Sequence, residues 1–213
     1  MTPLALPHSA PPCLAEIRAD RRSVKEYDAE PVDLDTVGSV LWTAASMRDG
    51  RAHASARGRY LVTTTVISGD VDGLPPGAYR YSARDHHLTL VHSGDHRAGL
   101  AEATIDAPWL TTCPLILMLS SDIERADEHL EELPPGQGER FAWLEAGLIT
   151  QNVYLWAAAT GLGTVFVGGL DGTAAARLAS ALCSQGETLL GLMPIGRPAG
   201  RAESPVFRPT DPS

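Results

Sequence analysis

The architecture of this chain can be worked out from residues 161–171, which read Gly161-Leu162-Gly163-Thr164-Val165-Phe166-Val167-Gly168-Gly169-Leu170-Asp171. Gly161 is a stop signal for the helical pattern before it, and the β-branched and aromatic residues 164–167 predict a strand. The paired glycines 168 and 169 let backbone N–H groups approach a flat ring closely. A strand followed by a tight turn explains the same pattern without a ligand. A further helix is predicted over 173–181, capped by Thr173 or Asp171.

The longest helical pattern, residues 139–160, lies immediately before that segment. Its centre is apolar nearly all round, through Phe141, Trp143, Leu144, Ala146, Leu148, Ile149, Val153, Leu155, Trp156 and Ala157. A helix that is apolar on every side must be buried on every side. In a chain of 213 residues this predicts a core helix that a partner subunit also covers.

Shorter helical and strand patterns alternate along the rest of the chain. Helices are predicted over 14–22, from 33 or 35 to about 47 and over 98–104, and strands over 59–66, 78–81, 88–92, 113–120 and 188–195. The continuously apolar run 113–120 fits a strand buried on both faces. Residues 123–138 are acidic and then rich in Pro and Gly, which predicts a solvated linker or lid. The mixture implies an α+β domain with one central sheet.

Length and composition favour one domain, residues 13–198, with a flexible N-terminal arm, 1–12, and a C-terminal tail, 199–213. The net charge of -9 argues against nucleic acid and anionic membranes as partners. The spacing of Cys13, Cys113 and Cys183 matches no metal or redox motif. No stretch is long and apolar enough to span a bilayer. We therefore expect a cytoplasmic protein without a metal centre.

A second informative string, Arg21-Arg22-Ser23-Val24-Lys25, follows the first predicted helix. It packs three cations and a hydroxyl into one turn, which suits a phosphate group with a sugar-like tail. The alternative is a surface charge cluster whose arginines serve the C-terminus of the helix.

The order of these segments resembles the nitroreductase superfamily, and in particular its SagB-type dehydrogenase branch, which includes azoline-oxidising enzymes of peptide natural-product pathways. The matching pieces, spread over roughly residues 14–198, are 21–25, 74–81, 87–90 with 93–95, 107–119, 144–147 with 151–152, 161–171 and 193–196. The resemblance implies an α+β nitroreductase-like fold, a central mostly antiparallel sheet flanked by helices, in an intertwined homodimer. It also implies that the chain binds flavin mononucleotide (FMN).

The resemblance gives the first string a role toward FMN. Arg21 and Ser23 would bind the phosphate and the ribityl hydroxyls, because a guanidinium fork suits phosphate oxygens. Arg22 would add to the same phosphate contact. Lys25 would lie near the pyrimidine edge of the ring, where a cation raises the reduction potential of the flavin.

The remaining cofactor residues come from three other places. Val167, Gly168 and Gly169 would lie along the ring, with a Gly168 or Gly169 N–H bonded to N5 or O4; many relatives carry a carboxylate at position 168. Ser55 would complete the site of the second subunit. Relatives often use an arginine after the last strand as a second phosphate clamp; the candidates here are Arg197, Arg201 and Arg208, of which Arg208 has the more suitable distance from Gly196.

Departures from the family pattern leave the catalytic residues unassigned. Residues 54–57 read Ala-Ser-Ala-Arg where relatives have a Pro-Ser-Ala-Gly-like stretch. His53 is a candidate proton donor, although a solvated loop histidine is favoured. Residues 123–140 lack the Lys-Tyr pair of azoline-oxidising relatives, so any base must be another group, such as Glu145, His129, His53 or solvent. Glu145 is a candidate, although a helix N-terminal charge that relieves the dipole is favoured.

The resemblance implies an FMN-dependent oxidoreductase that transfers hydride through flavin N5 to or from a small organic or peptide-derived substrate. NAD(P)H is the candidate reductant, and natural-product tailoring is a candidate role. The alternative is an FMN-binding or degenerate-pocket scaffold protein without redox turnover, which the changes in residues 51–57 motivate.

Overall fold

The computed structural model describes residues 4–5, 14–48 and 50–200. Its centre is a seven-stranded sheet in which every neighbouring pair is antiparallel, in the order β1-β6-β5-β3-β7-β9-β8. Strands β2 and β4 form a separate parallel pair. The strands are β1 (Leu4–Ala5), β2 (Val32–Asp33), β3 (Thr63–Ser68), β4 (Val71–Asp72), β5 (Gly77–Ser82), β6 (His87–Ser93), β7 (Leu115–Asp122), β8 (Gly163–Thr164) and β9 (Glu187–Gly196).

Helices cover both faces of this sheet, and the predicted α+β class with a central antiparallel sheet is confirmed. The helices are α1 (Leu14–Asp20), α2 (Leu34–Ala45), α3 (Arg97–Glu102), α4 (Ile123–Glu128), α5 (Gln137–Thr160) and α6 (Gly172–Leu182). Two short 3-10 turns, Ala56–Gly58 and Pro108–Thr112, complete the described elements.

Strand β7 shows how one run of residues builds two cores. Leu115, Leu117 and Leu119 pack into the layer that contains α2 and α5. Ile116 and Met118 point the other way, into the layer that contains α6. All five side chains are fully buried. A strand with helices on both faces must be apolar at every position, which is why this segment reads as one continuous run.

The helix starts follow local capping chemistry. The Asp33 side chain caps α2 by accepting a hydrogen bond from the Thr36 N–H at 2.7 Å. The pKa of Asp33 is lowered, first by its interaction with the Thr36 side chain and then by this backbone bond. Asp171 caps α6 in the same way, through the Ala174 N–H at 2.8 Å. Asp33 and not Asp35 therefore caps α2, and Asp171 and not Thr173 caps α6.

Three predicted elements differ from the observed ones. Residues 123–138 are not a solvated linker, because α4 packs on α5 and buries Ala126 and Leu130. The strand predicted from residue 59 begins at Thr63. The strand predicted over 164–167 is limited to β8 and one isolated bridge between Val167 and Leu192.

Helix α5 is buried on one side only within a single chain. Its buried stripe runs from Ala142 to Ala157, whereas the side chains of Trp143 and Leu144 are 44% and 57% exposed. The expectation of burial all round is therefore not met by one protomer. None of the described helices is long and apolar enough to cross a membrane.

Candidate functional site

The structure brings the two informative strings together. The Val24 N–H donates to the carbonyl of Thr164 at 3.0 Å, so the segment 21–25 lies along β8. The backbones approach so closely that a Cβ on Gly163 would lie 2.7 Å from Val24 Cγ1. Gly163 is therefore required for packing here, and the cationic string and the glycine-rich string form one surface.

The cations of the first string have no carboxylate partner. Within the described part of the chain, no ion pair involves Arg21, Arg22 or Lys25, although acidic residues outnumber basic ones. Arg22 donates to the carbonyl of Ala19, in the last turn of α1, at 2.8 Å. This residue therefore also serves the helix C-terminus, as the alternative interpretation proposed. The side chains of Ser23 and Lys25 are exposed.

Tyr154, on α5, connects the two strings and was not foreseen from the sequence. The guanidinium carbon of Arg21 lies 5.2 Å from the centroid of the Tyr154 ring, within cation–π range. The hydroxyl of the same tyrosine accepts a hydrogen bond from the Phe166 N–H at 2.8 Å. One side chain therefore contacts the guanidinium of the first string and the backbone of the second.

The end of the second string divides into a buried and an open part. Val167 exchanges both backbone hydrogen bonds with Leu192, and its side chain is buried in the core. Gly168 and Gly169 are exposed, and among the described residues nothing accepts a hydrogen bond from either N–H. Two adjacent unpaired donors on bare backbone can bind an acceptor edge of a ligand.

The Phe166 ring explains why position 168 carries no side chain. A Cβ on Gly168 would lie 2.7 Å from Phe166 Cε1, and a Cβ on Gly191 in β9 would also collide with this ring. The ring therefore packs across two glycines. A carboxylate-bearing side chain at position 168 would meet this ring in the present arrangement.

The loop that contains Ser55 is held in a strained conformation. Arg57 and Tyr60 have positive φ angles of 53° and 54°, which residues with a Cβ rarely adopt. The Ser55 hydroxyl stabilises this shape by accepting a hydrogen bond from the Tyr60 N–H at 2.7 Å. The guanidinium of Arg51 lies over the Tyr60 ring at 5.2 Å. In one protomer Ser55 therefore orders its own loop.

Two expectations for acid–base groups are wrong. The His53 side chain is only 4% exposed, so it is not a solvated loop histidine, and Glu145 is 2% exposed. Glu145 stands eight residues after the first residue of α5, too far from the N-terminus to act on the helix dipole. Its Oε1 lies 3.6 Å from His53 Nε2 and accepts a hydrogen bond from the Val62 N–H at 3.0 Å.

The environment of Glu145 favours the charged form. Burial opposes ionisation, but the nearby polar groups of His53 and Ser55 and the Leu61–Val62 backbone, with the Val62 N–H hydrogen-bonded to the carboxylate, favour the charged form more strongly, so the pKa of Glu145 is lowered. A carboxylate here holds the loop to α5. Asn152 adds a second attachment by donating to the carbonyl of Ala52 at 2.9 Å.

Two further expectations concern Arg208 and metal binding. Arg208 lies outside the described residues. The chain does return towards the first string, because the Ala199 N–H donates to the Glu26 carbonyl at 3.0 Å and Tyr27 bridges to Pro198. For metals, no group of three or more His, Cys, Asp and Glu side chains that could hold an ion occurs in the part that the structure describes.

Known proteins share the sequence pattern and the fold of this chain. A model of the nitroreductase family matches residues 19–197. A candidate nitroreductase of Methanocaldococcus jannaschii is 30% identical over 158 residues, which cover 73% of this chain and 78% of that protein. The crystal structure of a candidate nitroreductase from Ralstonia eutropha superposes with a TM-score of 0.76 at 27% identity, over 93% of this chain and 90% of that chain. A chain of the E. coli microcin synthetase McbBCD complex with truncated pro-MccB17 bound has the same fold, with a TM-score of 0.69 at 19% identity, over 83% of this chain and 68% of that chain.

Proposed function

This chain belongs to the nitroreductase family, and we propose that it is an FMN-dependent oxidoreductase acting on a small organic or peptide-derived substrate. One observation carries the proposal. Three cations, which have no carboxylate partner among the described residues, lie beside β8, and the same glycine-rich segment continues to two N–H groups from which no described residue accepts a hydrogen bond. A ligand that fits must carry an anionic group at one end and acceptor atoms at the other. FMN has both.

The cationic string fits the phosphate end. Among the described residues the Arg21 guanidinium forms no ion pair and lies over an aromatic ring, and Arg22 and Lys25 add exposed positive charge within the same turn. The exposed Ser23 hydroxyl can donate to a phosphate or polyol oxygen. No described carboxylate pairs with this local positive charge, so a bound anion would supply its counter-charge.

The glycine end fits the ring. The N–H groups of Gly168 and Gly169 are exposed donors that can bind acceptor atoms at the edge of a flavin. Val167 supports this edge from the core through its backbone pairing with Leu192. Bound FMN supplies two-electron chemistry, in which N5 accepts or delivers a hydride.

The proposed reaction leaves proton transfer to groups still to be identified. Glu145 is buried, ionised and committed to the loop in this protomer, so we assign it a structural role and no step of catalysis. NAD(P)H is the proposed reductant. The likeness to a chain of the McbBCD complex supports, at the level of fold, a peptide-derived compound as one class of substrate.

We further propose a homodimer in the cytoplasm. The exposed Trp143 and Leu144 on α5 form an apolar surface that a second copy can cover, and the loop ordered by the Ser55–Tyr60 hydrogen bond is our candidate for the segment that completes the partner's site. Cys113 and Cys183 are free thiols, as expected in a reducing compartment. Sedimentation tests the dimer, and a stable monomer at micromolar concentration would contradict it.

The cofactor is tested by the visible absorption of the purified protein before and after acid release of any chromophore. We expect released FMN near one per subunit, and Arg21→Ala should lose it. Arg84→Ala is the matched control, because Arg84 is an exposed arginine in the turn between β5 and β6. Bleaching by NADH would indicate a reductase. Bound FMN without turnover on any acceptor would favour the scaffold alternative, and a colourless protein that takes up no FMN would contradict both.

A further inference from the structure

We infer that Tyr154 is a cofactor-binding residue that donates its hydroxyl hydrogen to the polyol phosphate tail of FMN and orients Arg21 on the phosphate. This inference rests on the proposed function, since it names an additional contact in the same site. It assigns a role to a side chain that lies on neither of the two strings.

The Tyr154 side chain lies between the two ends of the proposed site. The face of the Tyr154 ring lies under the guanidinium of Arg21, at the phosphate end of the site. Its hydroxyl lies beside the Phe166 N–H, two residues before the glycines at the ring end. The side chain therefore spans the interval between the two ends. In FMN that interval is filled by the ribityl chain, which carries hydroxyl groups.

The hydroxyl hydrogen of Tyr154 has no acceptor among the described residues. A tyrosine hydroxyl has one donor hydrogen and also accepts hydrogen bonds. The acceptor function is used by the Phe166 N–H at 2.8 Å, whereas no described residue accepts the hydroxyl hydrogen. Tyr154 is half-buried, so its hydroxyl is held by the backbone while the hydrogen stays available. A polyol or phosphate oxygen could accept this hydrogen bond from the Tyr154 hydroxyl.

The Tyr154 ring also limits the position of the Arg21 guanidinium. This arginine has no carboxylate partner in the described ranges, and the Tyr154 ring at 5.2 Å is the contact that limits where its guanidinium can lie. A cation held over an aromatic face keeps its N–H groups free to bind phosphate. The ring should therefore contribute to phosphate affinity, separately from the hydroxyl.

These two roles can be separated with three ligands. FMN carries polyol and phosphate, riboflavin carries the polyol alone, and lumiflavin carries neither. The dissociation constants of all three are measured by fluorescence quenching on apoprotein of the wild type, Tyr154→Phe and Tyr154→Leu. Tyr79→Phe is the matched control, because its hydroxyl donates to the carbonyl of Pro75 away from both strings.

We expect Tyr154→Phe to weaken FMN and riboflavin about 3- to 12-fold, the size of one hydrogen bond, and to leave lumiflavin unchanged. Tyr154→Leu should in addition reduce the preference for FMN over riboflavin about 2- to 5-fold, because the cation–π contact is lost. Tyr79→Phe should change none of the three constants.

Two results would overturn the inference. Unchanged FMN binding by Tyr154→Phe would show that the proposed hydrogen bond from Tyr154 to FMN does not exist. Equal weakening of the binding of all three ligands would show that Tyr154 only supports the backbone at Phe166. Tyr154→Phe keeps the ring and so remains decisive if Tyr154→Leu does not fold. Failure of wild-type protein to bind FMN would instead refute the proposed function, so the two failures are distinguishable.

Discussion

Replacing Glu145 by glutamine tests whether a buried charge holds the loop that contains Ser55. Glutamine has nearly the same size and keeps one oxygen for the Val62 N–H, but it removes the negative charge that faces His53 at 3.6 Å. The pKa of Glu145 is lowered, which means that the folded protein favours the carboxylate over the neutral acid. A neutral amide at this position should therefore lower stability.

The magnitude follows from the bonds that the carboxylate accepts. Hydrogen bonds to a charged group contribute about 1.5–3 kcal/mol, and glutamine retains only part of them. We expect a loss of about 1.5–3 kcal/mol near neutral pH. For a chain of 213 residues this corresponds to a fall in Tm of about 3–12 °C. Glu145→Ala, which also leaves the Val62 N–H without an acceptor, should cost about 3–5 kcal/mol.

The dependence on pH has a definite sign. Because the pKa is lower in the folded state than its ordinary value of 4.5, the carboxylate contributes its full stabilisation above that value. The contribution is lost as the pH falls through the folded pKa. The gap in Tm between wild type and Glu145→Gln should therefore be widest near pH 7 and should narrow below pH 4.5. Other carboxylates with lowered pKa titrate equally in both proteins and cancel.

Thermal unfolding followed by circular dichroism at several pH values measures this gap. Glu139→Gln is the control on the same helix, because Glu139 is exposed and should show almost no change. Hydrogen exchange of the Val62 amide should accelerate in Glu145→Gln, since its acceptor is weakened. An equal Tm for Glu145→Gln and wild type at pH 7, or a gap that does not change with pH, would refute this account of the loop.

Three further predictions follow from single contacts. Gly168→Ala should weaken FMN binding in a flavin titration, because the added Cβ would lie 2.7 Å from a phenylalanine ring carbon, and tight binding would contradict this close packing. Gly147→Ala is the comparison: its Cβ meets open space on a helix, so thermal melting should show a slightly higher Tm. The double substitution Trp143→Glu and Leu144→Glu should convert a dimer into monomers in sedimentation, and an unaffected dimer would place the interface elsewhere. Asp171→Ala should cost about 1 kcal/mol by loss of the N-cap of α6, seen in urea unfolding, and an unchanged midpoint would mean that the cap contributes nothing.

Local chemistry explains which parts of the fold were predictable. Strand β7 was found because residues 115–119 are apolar at every position, a pattern that does not depend on distant partners. The caps at Asp33 and Asp171 depend only on residues within the next turn. The prediction for segment 123–138 failed because its many charges obscured two buried apolar residues, Ala126 within α4 and Leu130 in the turn that follows it.

Long-range contacts explain what the sequence analysis missed at the site. Glu145 binds a backbone group 83 residues earlier in the chain, which no local pattern encodes. One signal was available, because Glu145 stands four residues before Ile149 and eight before Val153, on the stripe that packs into the core. A charged residue on the buried stripe of a helix requires a partner, and His53 supplies part of it.

Helix α5 joins these observations. Glu145 and Tyr154 are nine residues apart, which places them about 13.5 Å apart along the axis and on nearly opposite sides of the helix. Glu145 fixes the Ser55 loop, and Tyr154 connects the two strings that we assign to FMN. The same helix presents Trp143 and Leu144 to the outside. If a second copy docks on that surface, one rigid element sets the positions of the loop, the cofactor contacts and the interface. A helix that packs into the core on one side and against a second copy on another needs apolar residues on both sides. These two contacts explain why α5 is apolar on more sides than a helix that covers one core.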